Sequence, residues 1–137
     1  MTESTWKTIA ILAARLIFGL LFVMAFTFKF LGMDQTAAYI ASAGFPMPLA
    51  LAWIAAIFEV FLAFCFLTGA YFTEAALLAG AYVIFLAFSF HGPNRFAAKQ
   101  EEFGFFVDHF TFLAGLLFAA VNGPGSRWAL PWRLIGR

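Results

Sequence analysis

Charge is what this sequence has least of. Only 11% of its 137 residues are Asp, Glu, Lys or Arg, against about 25% in an average soluble domain. A soluble domain of this size needs a polar coat, and eight basic plus seven acidic side chains cannot supply one. The shortage excludes a soluble globular enzyme and a disordered chain. The same composition excludes a nucleic-acid binder, and a formal net charge of +1 shows no strong electrostatic preference for a partner. Cysteine is nearly absent as well. Cys65 alone permits neither an internal disulfide framework nor a Cys-based zinc or iron–sulfur site. Proline occurs five times, at positions 46, 48, 93, 124 and 131, at the edges of the apolar runs or outside them.

What fills the chain instead is apolar. Hydrophobic residues make up 64%, and phenylalanine supplies 21 positions. A membrane-spanning helix needs roughly 20 mostly apolar residues, and four stretches qualify, at about 8–31, 48–70, 72–90 and 103–121. Gly32, His91-Gly92-Pro93 and Asn122-Gly123-Pro124-Gly125 punctuate them as helix ends should. Period-2 alternation is absent, so strands are not expected. The first stretch exceeds a signal-peptide core, and no small-residue cleavage site follows it. The expected fold is all-α, a single integral-membrane four-helix transmembrane bundle over residues 1–137. With four spans both termini share a side. That side carries Lys7, Arg127, Arg133 and Arg137 against Lys29, Arg95 and Lys99 opposite, which favours cytoplasmic termini.

Charges inside the spans are costly, so each is a functional candidate that needs a partner. Arg15, Gly19, Phe22, Phe26 and Lys29 share one face of the first helix. Ala52, Ala56 and Ala63 form a small-residue stripe around Glu59 on the second, and small residues allow close helix approach in lipid. Asp108, Thr111, Gly115 and Ala119 share a face of the fourth. Counted from the non-cytoplasmic boundary, Glu59 lies about 16 Å deep and Arg15 roughly 24 Å. The expectation is therefore that Glu59 pairs with Arg15. It is either a buried ion pair that fixes helix register or a protonatable group beside a ligand headgroup. Lys29 reads as an interfacial snorkelling lysine. It can gather in the outer third with His91, Asp108 and His109, with Glu101 and Glu102 at the mouth. Such a cluster is either an interfacial feature, a polar headgroup site or a proton relay, for which histidine suits by its near-neutral pKa.

The phenylalanines, including the series Phe18, Phe22, Phe26 and Phe30, read as lipid contact and packing, or as the walls of a flat slot for a quinone ring. Tyr82 and Tyr39 could offer hydroxyls to a quinone carbonyl. Haem is not expected in a bundle so full of Phe. Nor is a metal, because the spacing of His91, Asp108 and His109 matches no strong zinc motif. Cys65 reads as inert packing. The small-residue stripes (Ala75 and Ala79; Gly115 and Ala119) would allow a homodimer.

Several of these features occur together in a known family. Arg15 followed by "LIFGLLFVMAFTFKFLG", the stretch "AAYIASAGFPMPLALAWIAAIFEVFLAFCFLTG", His91 after the third helix and Gly123-Pro124-Gly125 after the fourth resemble DoxX-like proteins. The ordered set runs from about Thr8 to Ser126, with Arg15, Lys29, Glu59, Gly69 and His91 at matching positions. The Gly often found shortly before the Lys is replaced by Ala25-Phe26-Thr27-Phe28. The resemblance implies a four-helix bacterial inner-membrane protein. It also implies a place in a membrane oxidoreductase system, because relatives include the membrane subunit of a thiosulfate:quinone oxidoreductase. On that reading Glu59, Arg15 and His91 would be the reactive groups. Lys29, Tyr82, Asp108 and His109 would bind the ligand, and a quinone would be the cofactor. Electrons would enter from a quinone, a bound cofactor or a redox partner subunit, with membrane lipid around the whole. The alternative is a non-enzymatic bundle that binds lipid or anchors a partner.

Overall fold

A computed structural model describes residues 4–136. Among them the structure is all-helical, with no strand. Four helices are long and apolar enough to cross a membrane. They are α1 (Thr5–Leu31), α3 (Pro48–Thr68), α4 (Phe72–His91) and α5 (Gln100–Asn122). A shorter helix, α2 (Met33–Ser42), lies between the first two, and a 3₁₀ turn spans Pro93–Arg95.

The boundaries follow local chemistry. Gly32 closes α1, its N–H donating to the carbonyls of Phe28 and Lys29 at 3.0 and 3.3 Å. Asp34 then sits in the first turn of α2, where an anion complements the helix dipole. Composition alone left this segment between spans, since ten mixed residues cannot cross a bilayer. Pro48 opens α3 with its φ already helical. The expected end at Ala70 moves back to Thr68, because Gly69 takes φ +79° and its N–H donates to the Cys65 carbonyl at 2.8 Å. α5 begins three residues earlier than its apolar run. Glu101 and Glu102 in the first turn favour a helix N-terminus despite their polarity.

The chain forms two compact units. One comprises residues up to Tyr71 with Pro124–Trp132, and the other comprises Phe72–Gly123 with the residues from Arg133 on. In the first, α1 packs antiparallel on α3. Gly19 lies against Leu67, Phe22 stacks on Phe66 with ring centres 5.7 Å apart, and Phe30 meets Trp53 at 5.7 Å. Ala52, Ala56 and Ala63 are buried, as the stripe of small residues requires, and α2 lies against α3. The segment after α5 returns to this unit. Leu130 N–H donates to the Thr68 carbonyl at 2.9 Å, and Tyr71 N–H to the Trp132 carbonyl at 2.7 Å.

In the second unit α4 and α5 form a hairpin around Pro93. Gly80 faces Leu113, and Thr73 Oγ1 donates to the Ala120 carbonyl at 3.2 Å. Phe88, Phe96, Phe106 and Phe110 form an aromatic cluster in which three of the four contacts are edge-to-face. The Glu74 carboxylate accepts the backbone N–H groups of Leu134 and Ile135, tying the carboxy-terminal residues to the start of α4.

Gly69 holds the tightest junction in the first unit. A Cβ there would lie 2.7 Å from Ala129 Cβ and 3.3 Å from Arg15 Nη2, on a backbone with φ +79°. Gly69→Ala is expected to cost about 2 kcal/mol or more, from left-handed backbone strain plus the clash. A depressed thermal midpoint in detergent, with helix content retained below it, is the result to look for.

Candidate functional site

One buried polar feature of the first unit is an ion pair between Lys29 and Glu59. Lys29 Nζ lies 2.8 Å from Glu59 Oε1, and the two side chains are 22% and 3% exposed. Glu59 sits midway along α3, about 16 Å from its first residue. Lys29 is two residues from the end of α1. They meet because Cα–Cβ bonds tilt toward a helix's N-terminus. In antiparallel helices, the tilt of Lys29 aims it inward and that of Glu59 aims it outward toward Lys29. The lysine stem spans the remaining offset.

The expected Arg15–Glu59 pair does not form. Arg15 is 1% exposed, and all five of its N–H groups go to carbonyl oxygens. Nε donates to Phe66 at 3.3 Å. Nη1 donates to Pro124 and Arg127 at 3.2 and 3.4 Å, and Nη2 to Leu67 and Trp128 at 3.0 and 2.8 Å. Two of these acceptors are the orphan carbonyls of the last turn of α3, where the helix dipole is negative. The other three belong to the returning segment. Arg15 therefore neutralises a ring of dipoles and holds 124–128 onto the end of α3. Trp128 keeps a left-handed φ of 53° in this contact, a strain of order 1 kcal/mol or more that its bond from Nη2 offsets.

Register explains the missed pair. With Gly19 beside Leu67 and Phe30 beside Trp53, Glu59 is level with about Ala25. Arg15 lies about ten residues further along, roughly 15 Å. The depth estimate aligned the end of α1 with the start of α3, but α3 extends some five residues past that point. Lys29 is likewise not a lone snorkelling lysine, because its ammonium turns in to Glu59.

The second unit holds both histidines. His91 ends α4, and its Nδ1 lies 2.6 Å from Glu102 Oε2. His109 Nδ1 lies 2.7 Å from the Phe105 carbonyl, one turn earlier in α5. The two imidazole ring centres are 5.3 Å apart. Glu102 thus acts as a partner of His91 rather than a residue at the mouth of a wider cluster. Asp108, expected to join that cluster, is exposed and makes no ion pair among the described residues. One residue of rotation from His109 turns it to another face. Lys29, the fourth expected member, is taken up by Glu59. Tyr82 is half-buried on α4, and Tyr39 is exposed on α2. Cys65 is buried in α3. Among the described residues no group of three or more His, Cys, Asp or Glu is arranged to hold a metal ion.

This architecture has recognisable counterparts. A model of the family described as DoxX matches residues 10–92. The chain belongs to the DoxX family. This DoxX-family integral membrane protein is also similar to the inner membrane protein YphA of Escherichia coli strain K12. The two are 28% identical over 130 residues, spanning 88% of this chain and 87% of the relative. No solved structure matches the chain. The DoxX match contains Arg15, Lys29, Glu59, Tyr82 and His91, and stops short of Glu102, Asp108 and His109.

Proposed function

We propose that this DoxX-family protein is the membrane subunit of a quinone-linked oxidoreductase system in a bacterial inner membrane. The supporting observation is the Lys29–Glu59 pair, an ammonium and a carboxylate 2.8 Å apart inside apolar helices. Buried charge of this kind is rare in membrane helices and marks polar-ligand or proton sites. Phe22 and Phe26 share the lysine's face of α1, and the buried Ala52, Ala56 and Ala63 flank the carboxylate on α3.

A quinone gains two electrons and two protons to become a quinol. A partner subunit delivers the electrons. Lys29 donates a hydrogen bond to a carbonyl oxygen and stabilises negative charge as it develops there, an effect strengthened by the low dielectric. Glu59 holds the lysine in place and exchanges protons with it. Arg15 leaves the reactive set and serves the scaffold. The basic residues Lys7, Arg127, Arg133 and Arg137 favour cytoplasmic termini.

The test is mass spectrometry of small molecules retained by protein solubilised gently with its native lipids. Near-stoichiometric quinone is expected. It should fall about tenfold in Lys29→Met and Glu59→Gln, the loss of roughly 1.4 kcal/mol from one charge-assisted contact. Quinone at its bulk membrane proportion, unaltered by both substitutions, would refute the reading. A stoichiometric phospholipid in its place would instead establish the non-enzymatic lipid-binding alternative.

A further inference from the structure

We propose that His91 and His109 bind a divalent transition-metal ion, zinc or one of its neighbours, through their Nε2 atoms. The proposal rests on α4 and α5 alone and is independent of the quinone reading. Carbonyl and carboxylate oxygens only accept hydrogen bonds, so both rings donate from Nδ1, His91 to Glu102 and His109 to Phe105. With Nδ1 as the donor, Nε2 is the ring nitrogen left to face a metal. The pattern is the one that metal-binding histidines show, with the far ring nitrogen donating to a carboxylate or a backbone carbonyl.

The ring spacing agrees. Two imidazoles on one tetrahedral ion, each with a metal–nitrogen bond of about 2.1 Å, have ring centres about 5 Å apart. The observed separation is 5.3 Å, with the planes inclined at 41°. His91 is 18% exposed at the end of its helix, so an ion can enter from the aqueous side. Sequence spacing concealed the site because its two ligands come from different helices. With two protein ligands the remaining coordination positions fall to water or an exogenous donor. Glu102 is a positioning residue that fixes the tautomer and orientation of His91.

Zinc and cobalt(II) titrations of the tag-free protein in detergent test this. One ion per chain is expected, with cobalt giving the absorption of a low-symmetry nitrogen–oxygen site. His91→Gln and His109→Gln should each weaken binding by at least tenfold. Glu102→Ala should weaken it about tenfold, and Glu102→Gln, which keeps an acceptor for Nδ1–H, should recover most of that loss. Asp108→Asn should leave it within twofold. In unsubstituted protein, zinc should shield both histidines from diethyl pyrocarbonate, which needs no variant to fold. No saturable one-to-one binding, or binding that survives loss of both histidines, or histidines carbethoxylated equally with and without zinc, would each overturn the proposal.

Discussion

Arg15→Leu is expected to destabilise the protein by about 4 kcal/mol or more. The substitution strands five carbonyl oxygens that now accept from one buried guanidinium. Each unsatisfied buried acceptor costs about 1–3 kcal/mol, less whatever the returning segment regains by detaching into water. Arg15→Lys is expected to recover less than half, because an ammonium offers three donors from a point and cannot span the fork. The measurement is unfolding in mixed detergent micelles, paired with limited proteolysis between Gly123 and Trp132. Cleavage there should appear in Arg15→Leu under conditions that leave the parent intact. Parent-like stability with a protected segment would show that the carbonyl ring is not what secures it.

The second large effect is coupling between Lys29 and Glu59. Glu59→Leu alone leaves a lysine ammonium facing an apolar interior, and Lys29→Met alone leaves a 3%-exposed carboxylate. Removing one partner of a buried pair costs about 3–5 kcal/mol, whereas replacing both by apolar residues of similar size is often neutral. The double variant Lys29→Met/Glu59→Leu is therefore expected to be more stable than either single variant, with a coupling energy of about 2 kcal/mol or more. Arg15→Leu and Glu59→Leu should instead add to within about 0.5 kcal/mol, as distant sites do. Strong coupling between Arg15 and Glu59 would reinstate the pair that residue depth suggested. Additive losses at Lys29 and Glu59 would show that their contact contributes no stability.

The fold class lay open in the sequence because lipid exposure imposes a simple rule: about 20 apolar residues for each crossing. The rule says nothing of α2, whose ten residues obey soluble-protein logic, with an acid in the first turn and one buried residue, Ile40. The candidate charges were also legible, since Arg15 and Glu59 stand out against apolar runs. Their partners were not. Depth was judged from segment ends, and a five-residue overhang of α3 shifts that ruler by about 8 Å. A signal was nevertheless present. In antiparallel helices Lys29 and Glu59 tilt toward each other, while Arg15 tilts toward the opposite end, where the carbonyls of Phe66 and Leu67 wait. The remaining acceptors of Arg15 are backbone atoms from over 100 residues away, and backbone carbonyls carry no sequence signature. Glu102 escaped for a similar reason. The loop between α4 and α5 decides which residue of the first turn of α5 returns to His91.

The acceptors of Arg15 also have an order of synthesis. Phe66 and Leu67 are made about fifty residues after the arginine, but Pro124, Arg127 and Trp128 follow only once α5 has emerged. Until Phe66 and Leu67 are made the guanidinium has none of these oxygens, and from then until Pro124 it has two of the five. The first helical unit is completed only by residues that follow α5. A nascent chain halted before Pro124 would contain the four membrane-spanning helices found among the described residues and still lack three of the contacts that neutralise Arg15.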